Sequence, residues 1–216
     1  MCGRFYIESD TWERVYKEWP STAPAAQAAE TPAACDVAPG MMAGALTEPS
    51  ACRDNRNSSR TGPVLRRMRW GFPSISHGLI INTRTESLRG YRRFSACFEH
   101  RRCVLPAAGF YEWDAGHRRY RLTDPTSPVL YLAGIYDRHG DEDIFSILTT
   151  GANDSMNTIH PRMPVLIGTD DLMRFLTDER EAAALICTGI INRLMSSCLF
   201  SDKPSGYREK TAPDLR

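Results

Sequence analysis

Five short stretches between residues 103 and 150 decide the fold: CVL (103–105), FYEW (110–113), YRLT (120–123), VLYLAGIY (129–136) and IFSILTT (144–150). They are rich in aromatic, β-branched and other apolar residues, and Gly, Pro or Asp follows each of them closely. Such composition and punctuation indicate β-strands joined by turns. Strands that follow one another at this spacing are typical of a curled antiparallel sheet.

The flanking sequence predicts further strands at residues 3–7, 64–70, 79–82 and 164–167. Apolar periodicity and capping residues predict helices, which we place at residues 10–19, 86–100, 153–159, 170–177 and 181–196, the last broken near Gly189. Strands and helices do not alternate as they would in a βαβ fold. We therefore expect an α+β fold with an antiparallel, barrel-like β core flanked by helices.

The chain length of 216 residues fits one domain. We place that domain at residues 2–200. Residues 20–34 are rich in Ala, Pro, Ser and Thr, and residues 45–62 are polar without periodicity, so we predict two surface loops there. The polar segment 201–216 is predicted to be a loose tail.

Composition excludes some classes of protein and leaves others open. The net charge of +1 does not by itself indicate a nucleic-acid binder. The seven cysteines include no CxxC pair, which makes a disulfide framework or a zinc site a poor explanation, and we expect neither metal nor cofactor. No run approaches 18 apolar residues and no signal pattern is present, so we expect a cytoplasmic protein without membrane contact.

A cysteine directly follows the initiator methionine. Once Met1 is removed, Cys2 carries a thiol and a free α-amine, and this 1,2-aminothiol can close a thiazolidine ring on an aldehyde. The same pair can also act as the nucleophile and base of an N-terminal-nucleophile amidohydrolase. An isolated Met-Cys start can equally be incidental, so the rest of the chain must decide.

Four polar segments lie beside predicted strands and could carry chemistry. Asn82–Glu86 combines an amide, a guanidinium and a carboxylate, and Glu112 lies between aromatic residues, where burial would raise its pKa. Thr149–Asn153 ends a strand in small groups whose backbone N–H could meet a phosphate. His160 lies between Ile159 and Pro161. Taken singly, each segment also has a purely structural explanation, as an ion-pair partner, a turn or a satisfied loop residue.

Taken together, these segments fall in eight ordered blocks that closely resemble the SOS-response-associated peptidase (SRAP) family, whose members sense abasic sites in single-stranded DNA. The resemblance covers roughly residues 2–168 and includes no block after about residue 170. The blocks are Met1–Phe5, Asp36–Pro39, Arg69–Phe72, Asn82–Glu86, Arg101–Trp113, Ala133–Tyr136, Leu148–Thr150 and His160–Val165.

The resemblance implies four catalytic residues. Cys2, freed by self-removal of Met1, would form a thiazolidine with the ring-opened C1′ aldehyde of an abasic deoxyribose. Asn82 would position the cysteine and the sugar. Glu112 would be the catalytic carboxylate, and His160 would assist ring opening, crosslinking and reversal.

The resemblance also implies a positively charged groove that holds the DNA. Arg4, Arg84 and Arg162 match arginines near the phosphates, and Trp70 matches an aromatic residue at the DNA-stacking edge. We include Thr149 among the DNA-binding residues.

We therefore expect a monomeric DNA-repair protein that crosslinks to abasic single-stranded DNA, associates with the nucleoid when bound to DNA, and has autoproteolytic and lyase-type activities. One alternative is an N-terminal-nucleophile cysteine peptidase or amidohydrolase acting in trans. Another is a non-catalytic module that binds single-stranded DNA.

Overall fold

We analysed a computed structural model of the protein, which describes residues 2–22, 34–49, 62–74, 78–188 and 194–199. The strands are β1 Arg4–Ile7, β2 Cys35–Val37, β3 Met42–Thr47, β4 Val64–Trp70, β5 Phe72–Ser74, β6 Gly78–Ile80, β7 Asn82–Arg84, β8 Arg102–Ala107, β9 Gly109–Trp113, β10 Arg119–Thr123, β11 Leu130–His139, β12 Glu142–Gly151, β13 Arg162–Pro164, β14 Leu166–Ile167 and β15 Met195–Leu199. The α-helices are α1 Thr11–Glu18, α2 Arg92–His100, α3 Leu172–Thr177 and α4 Glu179–Thr188.

Five strands close into a barrel. β4 pairs with β3, β3 with β8, β8 with β11 and β11 with β12, all antiparallel, and β12 returns to β4 in a parallel pairing at Phe145 and Trp70. Closure leaves these strands without a free edge along the ring. The predicted α+β fold with a barrel-like core is therefore confirmed, with one parallel seam.

The parallel pairing along β12, which we call the parallel seam, continues beyond β4 and positions β7. β7 lies along the same strand, so that Asn82 pairs with Ile147 and Arg84 with Thr149. The antiparallel hairpin partners β5 and β6 lie between β4 and β7 in the chain. The register of β12 therefore fixes where Asn82 stands.

A second antiparallel sheet, in the order β15-β10-β9-β1-β2, carries the amino terminus. Phe5 of β1 lies opposite Phe110 of β9 and opposite Val37 of β2, and all three side chains are buried. Gly109 of β9 lies opposite Tyr6 of β1. A glycine is needed there, because a Cβ at that position would lie 2.3 Å from the Tyr6 hydroxyl.

Helix α1 packs on the barrel through Trp12, which is 1% exposed. A Cβ at Gly44 of β3 would lie 2.4 Å from the Trp12 ring, so the glycine provides the space that the indole fills. The acidic Glu13 in the first turn and Lys17 in the last turn suit the helix dipole.

A buried arginine ties two helices to the barrel. Arg102 of β8 donates to the carbonyl oxygens of Phe98 and Glu99 near the end of α2. It also donates to those of Phe175 and Leu176 near the end of α3. Its cation therefore lies at the negative ends of two helix dipoles and satisfies four carbonyl groups.

Several predicted boundaries are wrong. Ala45–Thr47 are buried residues of β3, because the apolar run from Met42 pairs with β4, so the predicted loop 45–62 begins too early; residues 50–61 lie outside the described residues. The helix predicted over 86–100 forms only from Arg92, after a 3-10 turn at Thr85–Ser87.

Two other predicted helices also differ. Residues 154–159 form turns. The helix predicted over 181–196 ends at Thr188, and Met195–Leu199 instead pairs with β10 as a strand.

Parts of the predicted loop 20–34 and the predicted tail lie outside the described residues. Pro20–Thr22 form a 3-10 turn, and residues 23–33 and 200–216 are not described. None of the helices in the described ranges is long and apolar enough to cross a bilayer.

Candidate active site

Cys2 lies in the protein interior, just before β1, with a fully buried side chain. The pairing of Arg4 with Tyr111 brings this end of the chain alongside β9. The thiol Sγ lies 3.9 Å from the carbonyl oxygen of Arg4. The pairing of β1 with β9 therefore holds Cys2 in a fixed position inside the protein.

Asn82 anchors the backbone of Cys2. Its side-chain Nδ2 donates to the Cys2 carbonyl oxygen over 2.8 Å. Neighbouring contacts fix Asn82 itself: the Trp70 indole N–H and the backbone N–H of Ile147 both donate to the carbonyl of Ile81, at 2.9 and 3.0 Å. The predicted pairing of Asn82 with the cysteine is thus present as a hydrogen bond.

Glu112 is 2% exposed on β9, opposite Tyr120 of β10. Burial raises the pKa of the Glu112 carboxyl above its ordinary value. Burial also raises the pKa of the Cys2 thiol, and the nearby Glu112 charge raises it further. A neutral thiol and a carboxyl that titrates above its usual range therefore lie close together.

His160 is held by the backbone of Arg162. Its Nδ1 lies 3.0 Å from the Arg162 nitrogen, which donates to it, and 3.0 Å from the Arg162 carbonyl oxygen. The Nδ1 lone pair can accept from the Arg162 N–H, and in the other tautomer Nδ1–H can donate to the Arg162 carbonyl oxygen, so either tautomer of the neutral ring has a backbone partner. When the ring is protonated, Nδ1–H can donate to the carbonyl, so both protonation states have a backbone partner.

The side chain of Arg162 is 16% exposed and makes contacts within the protein. Both terminal nitrogens donate to the two carboxylate oxygens of Glu86 over 3.0 Å, and Nη2 donates to the carbonyl oxygen of Thr149 over 2.6 Å. These hydrogen bonds lower the pKa of the Glu86 carboxyl. The structure therefore places Arg162 beside His160, in an ion pair with Glu86.

Arg4 and Arg84 lie at the surface around this site. Arg4 pairs with Asp36 over 3.2 Å, and Arg84 is exposed on β7. Their guanidinium groups are accessible to an anionic chain. Arg84 is thus exposed at the surface, whereas Arg4 is in an ion pair with Asp36.

Two of the predicted DNA-binding residues are not at the surface. Trp70 is fully buried, with its ring stacked 5.9 Å from Phe145, so the expectation that it forms a stacking edge is wrong. The Thr149 side chain is also fully buried, and Thr149 pairs with Pro164 of β13. The parallel seam encloses both residues, because β12 is covered on both edges there.

Trp113 is an exposed aromatic residue beside the predicted site that sequence reasoning did not select. It follows Glu112 directly and is 37% exposed. The alternation of sides along β9 was the available signal: a buried Glu112 turns its neighbour outward. Within the described ranges, no group of three or more His, Cys, Asp or Glu side chains is arranged to hold a metal ion.

Curated relatives share part of the sequence. The chain is 30% identical over 122 residues to abasic site processing protein YoaM of Bacillus subtilis, covering 49% of this chain and 53% of the relative. It is 29% identical over 147 residues to abasic site processing protein HMCES of Xenopus tropicalis, covering 51% and 44%. The chain thus spans about half the length of these curated relatives.

Solved structures share the fold across most of the chain. A crystal structure of a protein from Bordetella bronchiseptica matches with a TM-score of 0.71 at 22% identity, covering 92% of this chain and 99% of that one. A phage-related protein of the same organism also gives 0.71, at 21% identity, with 93% and 95% covered. The family model described as SOS response associated peptidase (SRAP) matches residues 1–197. The chain therefore belongs to the SRAP family.

Proposed function

We propose that this protein captures abasic sites in single-stranded DNA as a thiazolidine on Cys2, after hydrolysis of the Met1–Cys2 bond frees the α-amine. The observation that carries the proposal is the buried Cys2, whose carbonyl is held by Asn82 beside a carboxyl of raised pKa. The printed names of the relatives, abasic site processing proteins, support the choice of lesion.

The chemistry balances with the loss of one water. The α-amine of Cys2 adds to the C1′ aldehyde of the open sugar, and expulsion of water gives a Schiff base. The thiol then adds across the C=N bond, forming the C–S bond while its proton passes to nitrogen. Removal of Met1 beforehand consumes one water and releases methionine.

The raised pKa of the Cys2 thiol favours this order of events. A thiolate is the nucleophilic form of cysteine, and here burial disfavours it. The amine therefore attacks first, and the thiol closes the ring once a base takes its proton.

Glu112 and His160 supply the proton transfers in this proposal. An abasic sugar is mostly a closed hemiacetal, so opening needs a proton at the ring oxygen and a base at the C1′ hydroxyl. A carboxyl whose pKa burial raises can serve as acid or base closer to neutral pH. His160 has a backbone partner at Nδ1 whether or not that nitrogen carries a proton.

Arg4 and Arg84 would hold the DNA backbone, and Trp113 would provide the stacking surface that Trp70 cannot. Arginine–phosphate contacts give affinity without sequence preference, and every base has a face that can stack. A lyase-type side reaction follows from the Schiff base, because the iminium acidifies C2′ and the 3′ phosphate can then leave. The protein would act as a monomer in the cytoplasm, at the nucleoid when bound to DNA.

The test mixes purified protein with single-stranded DNA that contains one abasic site. We expect a band that survives heat and SDS, with a mass equal to protein without Met1 plus DNA minus one water. Cys2→Ala keeps an amine and can form only the Schiff base, which needs borohydride to survive heating. Cys35→Ala is the matched control, because Cys35 is an exposed cysteine. A heat-stable product from Cys2→Ala would overturn the proposal.

A further inference from the structure

Glu86 and Arg162 form a two-pronged ion pair that reaches from the surface into the site. Glu86 has a side-chain exposure of 61%, whereas that of Arg162 is 16%, and two parallel hydrogen bonds of 3.0 Å join them. Bidentate pairs of this kind fix orientation as well as distance. The guanidinium is therefore set in one plane by an acid that stands at the surface.

The orientation passes from Arg162 to His160. The backbone nitrogen and carbonyl oxygen of Arg162 both lie 3.0 Å from Nδ1 of His160. Arg162 is also the first residue of β13, opposite Gly151 of β12, and its Nη2 bonds the Thr149 carbonyl. Side chain and backbone of Arg162 are thus tied to β12 and to Glu86, and the imidazole is tied to Arg162.

We propose that Glu86 is a positioning residue, which orients the His160 ring through Arg162. The inference rests on the proposed function in one respect: the oriented ring is useful because it transfers protons to the sugar. It also gives Arg162 a different role from the phosphate ligand expected from the family resemblance, because both prongs of its guanidinium already hold a carboxylate.

The charge of the Glu86–Arg162 ion pair favours a positioning role for Arg162 over a role in phosphate binding. The hydrogen bonds from Arg162 keep Glu86 ionised by lowering its pKa, so the pair is neutral overall at neutral pH. A phosphate would have to displace a two-pronged carboxylate and would approach the negative charge of Glu86. Arg84, exposed on the adjacent strand, faces no such competition among the contacts described.

The test compares Glu86→Gln with Glu142→Gln. Glu142 makes the same kind of two-pronged pair with Arg69, at 2.8 and 2.6 Å, elsewhere on the surface, so the control removes equal charge and equal hydrogen bonding. Three quantities are measured for each variant: the ¹⁵N shifts of the His160 ring, the affinity for abasic DNA, and the crosslinking rate at saturating DNA.

For Glu86→Gln we expect ¹⁵N shifts of the His160 ring that differ from the parental shifts, because the contacts of Nδ1 with the Arg162 backbone loosen. The crosslinking rate at saturation should fall roughly tenfold to a hundredfold, because small misplacements of a catalytic group have effects of that size. Affinity should stay within about twofold, since no phosphate contact is lost. Glu86→Asp should recover part of the rate, and Glu142→Gln should match the parental protein in all three.

Two results would overturn the inference: parental His160 shifts in Glu86→Gln, or a change in affinity that accounts for the whole rate effect. Tighter DNA binding would show that Glu86 competes with phosphate for Arg162. If the parental protein itself fails to crosslink, the proposed function fails, and the ring shifts still decide whether Glu86 orients His160. If Glu86→Gln melts early, Glu86→Asp is judged by the same shifts.

Discussion

The side-chain amide of Asn82 donates to the carbonyl oxygen of Cys2 over 2.8 Å, joining residues 80 positions apart. Asn82→Asp replaces the donor with a carboxylate, which cannot make this bond. We expect crosslinking to slow about tenfold or more, because the aminothiol loses its fixed position. The rate of crosslinking to abasic DNA, followed on gels, measures this decrease.

The exposed asparagine Asn157, in the turn before His160, provides the matched control, as Asn157→Asp makes the same chemical change without altering the hydrogen bond between Asn82 and Cys2. If Asn82→Asp and Asn157→Asp crosslink at one rate, the anchor has no part in the reaction.

Ionisation of Glu112 should make both the stability of the protein and its crosslinking rate depend on pH. Burial raises the pKa of its carboxyl in the folded protein, so its ionisation opposes folding. The protonated Glu112 carboxyl makes its full contribution to the free energy of unfolding below its unfolded-state pKa. That contribution is lost as pH rises from there through the raised folded-state pKa. Glu112→Gln removes this loss, so we expect its melting temperature to exceed the parental value above that window and to approach it below.

The same substitution should slow crosslinking about a hundredfold, a typical contribution of general acid–base catalysis. Melting curves and crosslinking rates across pH 4 to 9 test the two effects together. A variant that is more stable at high pH yet crosslinks at the parental rate would remove Glu112 from the mechanism while leaving its burial intact.

Arg84 should contribute salt-dependent affinity. Arg84→Ala removes one phosphate contact, so the slope of log affinity against log salt should become shallower by about 0.7 for single-stranded DNA. Arg180→Ala, at an exposed position of α4, is the control. Fluorescence anisotropy at several salt concentrations measures both, and equal slopes would mean that DNA does not reach β7.

Trp113 and Trp70 should have opposite phenotypes. Trp113→Ala should weaken binding by about 1–3 kcal/mol, the value of one base–aromatic stack, and leave the melting temperature nearly unchanged. Trp70→Ala should lower the free energy of unfolding by about 3–5 kcal/mol, because it empties a core site. Binding and denaturant titrations on both variants check this, and a Trp113→Ala variant with parental affinity would locate stacking elsewhere.

Arg102 should matter for stability and little for chemistry. Arg102→Met leaves four buried carbonyl groups without their donor, and we expect a loss on the order of 3 kcal/mol in unfolding free energy. Arg174 on α3 is the control, since its ion pairs with Asp171 and Glu181 are exposed. Arg174→Met should cost about 1 kcal/mol or less, so similar losses in urea titrations would contradict the helix-anchoring role.

The sequence allowed the barrel to be predicted because its strands are apolar and separated by turn residues. β3 was missed because its short apolar run ends at Thr47 and the polar segment 48–62 follows directly, so its last residues were assigned to the predicted loop. β15 was missed for a different reason: Met195–Leu199 is mostly exposed and has no alternating apolar pattern, so pairing with β10, and not periodicity, makes it a strand.

For the site, the resemblance of the ordered motifs predicted Cys2, Asn82, Glu112 and His160; the structure places Asn82 in a hydrogen bond with Cys2, and Glu112 near Cys2 and His160. Burial could not be predicted in the same way. Trp70 lies in a motif that resembles a DNA-binding edge, yet the parallel seam between β4 and β12 encloses it. Such non-local pairing has no signature within a short window of sequence.

The placement of Cys2 has a consequence for the order of events during synthesis. Cys2 is synthesised before Asn82 of β7, which holds its carbonyl, and before β12, which places β7 and ends at Gly151. The surroundings of Cys2 therefore exist only after the chain as far as Gly151 has been made and the barrel has closed. A chain that stops before β12 contains Cys2 but lacks the structure that positions it.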